Sequence, residues 1–138
     1  MIKVLLADDH AFVRDCVAGL LSACGDITVV AQCCDGSEVL AAALRTQPHV
    51  VLMDMAMPDR TGLEATRDLL DAGVPSRVVL LTGSWSPALV REAQALGAAG
   101  YLLKGDDPAA LPGLVREVAS GGSAWSARAA ASLAAARP

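Results

Sequence analysis

A chain of 138 residues has the size of one ordinary domain, and with 54 % hydrophobic but only 3 % aromatic residues its core must come from Val, Leu, Ala and Met. A net charge of −4 and a pI near 5.0 give no field that attracts nucleic acid or an anionic membrane, and the basic residues form no run. No apolar run approaches the roughly 18 residues of a membrane span, and the opening MIKVLLADDH meets two acids too early for a secretory leader, so a cytoplasmic protein with no membrane association is expected.

The chain then alternates between two periodicities. Ile2–Ala7 is a strand-sized apolar run. Val13, Cys16, Val17, Leu20, Leu21 and Cys24 follow at helical spacing, with Gly25 as a natural stop. Thr28–Cys33 reads as a second strand, and Asp35 with Glu38 as a capping box opening a second helix. His49–Met53 is a third strand, and it runs straight into Asp54. Thr61 with Glu64 is a second capping box. Arg77–Thr82 is a fourth strand. Ser86 and Pro87 are the N-cap and first position of a fourth helix, whose apolar face is Leu89, Val90, Ala93 and Leu96. Gly100–Leu103 is a fifth strand, and a fifth helix follows Asp106-Asp107-Pro108. Pro112 and Gly113 disturb its first turn, so this helix is expected to start late or kinked. Residues 1–121 then make the domain, and 122–138 an Ala-rich helix or linker segment. Five strands alternating with five helices predict an α/β fold, a parallel sheet covered on both faces as a three-layer α/β/α sandwich.

The four cysteines, Cys16, Cys24, Cys33 and Cys34, form no C-x-x-C pair, and neither His10 nor His49 stands at ligand spacing from them. They read as reduced, mostly buried thiols. Trp85, on the loop after the fourth strand, reads as a local packing residue more than a partner contact.

In a parallel sheet the carboxyl ends of the strands share one edge, where ligands bind. Strand one ends at Asp8-Asp9, strand three at Asp54, strand four at Thr82, and strand five just before Lys104. Singly, each has a plain reading: an acidic pair as a turn or cap, a Thr or Lys as a solvated strand end. Jointly they place three carboxylates, a hydroxyl and an ammonium on one edge. Packed carboxylates repel, and one of them is expected to have a raised pKa unless a hard cation intervenes. Mg²⁺ suits such a site, with Asp9 and Asp54 as direct ligands, Asp8 through water, and a backbone carbonyl just past Asp54. With Thr82 and Lys104 to hold phosphoryl oxygens, this is equipment for phosphoryl transfer to a carboxylate nucleophile, Asp54.

The segments LLADDHAFVR, VVLMDMAMPDRTGLEA, VVLLTG and GAAGYLLKG resemble the receiver domain of two-component response regulators over about residues 2–120. The DDH…R opening and GYLLK resemble the NarL/FixJ group, whose members usually carry a C-terminal helix-turn-helix of the LuxR type. The resemblance implies a flavodoxin-like (CheY-like) five-stranded sheet in the order 2-1-3-4-5. It implies Asp54 as phosphoacceptor, Asp8 and Asp9 as the acidic pair binding Mg²⁺, and a metal contact from the backbone carbonyl of Ala56. Thr82 and Lys104 match the phosphate-sensing pair and Tyr101 the aromatic that changes rotamer. Met57, Pro58 and Gly62 match the loop at the rim. The implied partners are a sensor histidine kinase as phosphate donor and a second copy on activation. The switching surface is the face of helix four, strand five and helix five. Transcriptional output would pass through an effector domain absent from this chain, since no residue here reads DNA bases.

Four other readings compete. A phosphohydrolase with an aspartate nucleophile needs a second Asp as general acid where this chain has Ala56, and leaves no room for a cap domain. A nucleotide or flavin binder needs a Gly-rich or Ser/Thr-rich loop after strand one, where this chain has ADDHAF. A pseudo-receiver acting as a fixed interaction module is disfavoured by the presence of all five site residues. A single-domain regulator acting by protein–protein contact shares the chemistry and differs only in output. Alanine at position 56 also offers no side chain to direct a hydrolytic water.

Overall fold

The computed structural model describes residues 1–83 and 86–135. Trp85 lies outside the described residues. The elements in chain order are β1 (Ile2–Ala7), α1 (Ala11–Ser22), β2 (Ile27–Cys33), a 3₁₀ turn (Gly36–Glu38), α2 (Val39–Thr46), β3 (Val50–Met53), α3 (Gly62–Asp71), β4 (Arg77–Thr82), α4 (Pro87–Ala95), β5 (Gly100–Leu103), a second 3₁₀ turn (Pro108–Ala110), α5 (Leu111–Ala119), β6 (Ala124–Trp125) and α6 (Ala127–Ala135). No described helix is long and apolar enough to cross a membrane.

The sheet is parallel throughout and its order is 2-1-3-4-5-6. This extends the expected five-strand order by one short strand. The strands β1, β3 and β4 are apolar on both faces because helices cover both sides. Period-two alternation splits them into two cores. Leu5, Val51, Met53, Leu80 and Tyr101 face the layer holding Val39 of α2, Leu69 of α3, Val90 and Ala93 of α4 and Ala129 of α6. Val4, Leu6, Val50, Leu52, Val79 and Leu102 face Leu21 of α1 and Leu111, Val115 and Val118 of α5.

β6 pairs with β5 at Gly100↔Ala124 and Tyr101↔Trp125. Its approach depends on Gly100, since a Cβ there would strike the carbonyl of Ala124. Arg77 adds a hydrogen bond from Nη2 to the Gly122 carbonyl at 2.8 Å. The segment after residue 121 therefore closes the edge of β5, and α6 packs against α4, with Ala129 fully buried.

Two local expectations need correction. The cysteines are not mostly buried: Cys33 at the end of β2 faces the core, but Cys16 on the outer face of α1 and Cys34 just past β2 are exposed, and Cys24 is intermediate. Asp35 does not form a capping box with Glu38. Its carboxylate accepts from the Ser37 amide at 2.8 Å, while Glu38 turns back to the Cys34 amide at 3.3 Å. The cause is the intervening 3₁₀ turn, which takes Glu38 out of the third helical position. The late start expected of the fifth helix is borne out. Asp107 caps the short turn Pro108–Ala110, and α5 begins only at Leu111, so Pro112 falls in a first turn whose amides need no helical acceptor. Thr61 and Glu64 do form the reciprocal box, with Glu64 N to Thr61 Oγ1 at 3.2 Å and Thr61 N to Glu64 Oε1 at 3.0 Å.

Candidate functional site

The parallel register carries β1 and β3 side by side to the same edge. Ala7 pairs with Met53, and the Asp54 amide then bonds to the Ala7 carbonyl at 2.8 Å. This last ladder bond holds Asp54 next to Asp8, whose own amide bonds to the Cys33 carbonyl of β2 at 3.0 Å. Both carboxylates are buried, at 6 % exposure for Asp8 and 4 % for Asp54, while Asp9 is exposed.

Across the edge, β5 delivers Lys104, whose amide bonds to the Thr82 carbonyl at 2.8 Å. Lys104 Nζ lies 2.8 Å from Asp8 Oδ2 and 3.3 Å from Asp54 Oδ2. Burial pushes the Asp54 carboxyl above the usual carboxylate range. The ammonium of Lys104 opposes that, and the charge of Asp8 adds to it. Burial disfavours the charge on Lys104, but its hydrogen bond to Asp8 and the field of Asp54 and Asp8 outweigh this and raise its pKa. The balance is thus asymmetric: one ammonium serves two buried carboxylates, and the site remains one positive charge short.

The other expected residues fall around this cluster. Thr82 ends β4 and is buried. Tyr101 is fully buried on β5. The loop from Met55 crosses Ala56, which is exposed, then Met57 and Pro58. The Ala56 amide donates to Asp54 Oδ1 at 3.4 Å. The loop returns at Gly62, whose amide donates to the Met55 carbonyl at 2.8 Å. A Cβ at Gly62 would strike the Asp54 carbonyl and come within 3.0 Å of Met55 Cα, so glycine is what lets α3 start this close.

Two residues join the site that composition and spacing did not single out. His10, at the N-cap position of α1, places Nδ1 3.3 Å from Asp8 Oδ1, 3.2 Å from Asp9 Oδ1 and 4.0 Å from Asp54 Oδ2. Arg14, one turn on, donates to the Asp8 carbonyl at 2.6 Å and so fixes the turn that carries the acidic pair. The signal was adjacency: a helix starting directly after an edge acid must aim its first residues at the same cleft.

Ligand atoms from Asp8, Asp9, His10 and Asp54 all lie within 4.8 Å of one another. Three carboxylates at a charge-deficient edge are the donor set for a hard divalent cation, so the residues fit Mg²⁺.

A doubly wound sheet with an acidic carboxyl edge, in place of a glycine-rich phosphate loop, defines the signal-receiver class. The family description "response regulator receiver domain" matches residues 4–116, and the chain belongs to that family. Among curated proteins it is 36 % identical over 133 residues to the DNA-binding transcriptional activator DevR/DosR of Mycobacterium tuberculosis, covering 96 % of this chain and 61 % of that protein. It is 38 % identical over 120 residues to the transcriptional regulatory protein YxjL of Bacillus subtilis, covering 87 % of this chain and 55 % of that one. The chain thus spans little more than half the length of such relatives. Among solved structures, a LuxR-family two-component response regulator from an Aurantimonas species superposes with a TM-score of 0.90 at 31 % identity, covering 96 % of this chain and 95 % of that one. The chain is a signalling domain whose relatives are transcriptional regulators, and not a metabolic enzyme.

Proposed function

We propose that Asp54 accepts a phosphoryl group from the phosphohistidine of a sensor histidine kinase. A carboxylate oxygen of Asp54 attacks phosphorus in line, the P–N bond breaks, and the imidazole leaves. The observation that carries this reading is the single ammonium of Lys104 shared between Asp8 and Asp54 at 2.8 and 3.3 Å. Asp8, Asp9, Asp54 and the Ala56 carbonyl would hold Mg²⁺, which when bound supplies the missing positive charge against the phosphoryl oxygens. Lys104 then follows one of those oxygens, and Thr82 donates its hydroxyl to another. Tyr101 turns as Thr82 moves, and Met57, Pro58 and Gly62 keep the rim fixed. Ala56 brings no side chain to the water that ends the cycle.

The new charge would be read out on α4, β5 and α5, a local electrostatic event biasing a bistable face. Homodimerisation through that face, in the cytoplasm, would pass the signal to a DNA-binding effector domain outside this chain. Residues 1–121 would carry the phosphoacceptor chemistry, with 122–138 leading toward the effector.

The test is intact mass after incubation with Mg²⁺ and acetyl phosphate. A gain of one phosphate, stable in acid and labile in base, is expected for the wild type and not for Asp54→Asn. Equal labelling of Asp54→Asn would sink the assignment.

A further inference from the structure

His10 stands where a helix N-cap is wanted, yet its side chain makes no capping bond to α1. The ring is largely exposed and lies at the mouth of the acidic cluster, where Nδ1 is in hydrogen-bond contact with Asp8 Oδ1 and is the one nitrogen among oxygen donors. Its backbone is held there: the His10 amide donates to Asp8 Oδ1 at 2.8 Å, and its carbonyl accepts from the Arg14 amide at 2.9 Å.

The spacings carry chemical meaning. Ligands about 2.1 Å from an octahedral ion lie about 3.0 Å apart when adjacent and about 4.2 Å apart when opposite. Nδ1 lies 3.2 Å from Asp9 Oδ1 and 4.0 Å from Asp54 Oδ2, within that range for both proposed direct ligands. Lys104 engages Asp8 through its other oxygen, Oδ2, whereas at Asp54 the imidazole and, at 3.3 Å, the ammonium face the same Oδ2.

We propose that His10 is a nitrogen ligand of this metal centre, and that it makes the site prefer later first-row divalent ions, such as Co²⁺, to Mg²⁺. Imidazole suits these borderline ions, whereas Mg²⁺ keeps to carboxylate, carbonyl and water oxygens. The role of His10 rests on Asp9 and Asp54 being metal ligands.

The test uses the whole 138-residue chain with Cys34→Ser, because Cys34, Asp35 and Glu38 form a second group of potential ligands on the surface. Co²⁺ and Mg²⁺ are titrated calorimetrically, and the Co²⁺ form is examined by proton NMR. The parent is expected to bind Co²⁺ more tightly than Mg²⁺ and to show one exchangeable, paramagnetically shifted imidazole N–H. His10→Asn keeps a favourable N-cap residue. It is expected to weaken Co²⁺ by at least about tenfold, the lower bound for losing even an outer-shell partner of a metal ligand. The ratio of Co²⁺ to Mg²⁺ affinity should fall and the shifted resonance should vanish. An unchanged Co²⁺-to-Mg²⁺ ratio in His10→Asn, or a resonance that persists, overturns the role of His10 while leaving the acidic site standing. Binding of both ions that survives Asp9→Asn and Asp54→Asn removes the metal centre itself, and the inference with it.

Discussion

Gly62→Ala sets two effects of opposite sign against each other. Gly62 is the first residue of α3, and alanine in a helix is favoured over glycine by at most about 1 kcal/mol, less at an end. Against this, the new methyl meets backbone: the Asp54 carbonyl and Met55 Cα, with Leu80 Cδ2 at 3.1 Å. Backbone of a buried strand end cannot swing aside as a side-chain tip can, and overpacking of this kind costs about 1–3 kcal/mol. The net expectation is a loss of about 1–2 kcal/mol, a fall in urea midpoint of order 1 M at the usual slopes. Gly113→Ala is the internal control. It also lies in a helix, α5, but its added methyl has open space around it, so it should stabilise by about 0.5–1 kcal/mol. Because the clash involves the residue carrying the proposed phosphoacceptor, Gly62→Ala should also slow labelling by acetyl phosphate, whereas Gly113→Ala should not. A Gly62→Ala protein as stable as the parent, or two variants that shift with the same sign, would refute the packing argument.

Loss of the cap in Thr61→Ala should cost about 1 kcal/mol in chemical denaturation, with frayed amide exchange confined to the start of α3. Ser126→Ala removes the hydroxyl that accepts from the Ala129 amide at 3.2 Å. It should cost a similar ~1 kcal/mol and open α6 to proteolysis before the rest of the domain. Burial pushes the Cys33 thiol up to about 11 from 9.0. The folded pKa is above the unfolded one, so the stability held by the neutral thiol is complete below pH 9.0 and is lost as pH rises toward 11. The urea midpoint should fall over that window, and Cys33→Ala should flatten the fall. Cys34 is exposed, but its hydrogen bond to Glu38 at 3.0 Å raises its pKa. Alkylation at pH 8 should therefore be accelerated by Glu38→Gln.

The strand pattern was legible because its cause is local. A strand covered on both faces must be apolar along its length, and β1, β4 and β5 begin and end where their apolar runs do. The edge cluster was legible for a topological reason: parallel strands share one carboxyl edge, so Asp8, Asp54 and Lys104 had to meet. β6 escaped because two residues have no periodicity to read, and its position depends on Gly100 making room from another strand. The Asp35 box was misread because sequence spacing does not distinguish a 3₁₀ turn from a first α-turn. His10 was passed over because it was weighed against cysteines, while its neighbours in space are the acids beside it in the chain.

The pairing of Tyr101 with Trp125 gives the molecule a built-in optical reporter. Tyr101 is the only tyrosine, fully buried, and Trp125 sits opposite it across about 4.8 Å of sheet, half-buried against the same core. Excitation of the phenol should pass almost completely to the indole while β6 stays on β5. With Trp85 replaced by Phe, the ratio of tyrosine to tryptophan emission would follow the docking of that last strand directly, without any attached label.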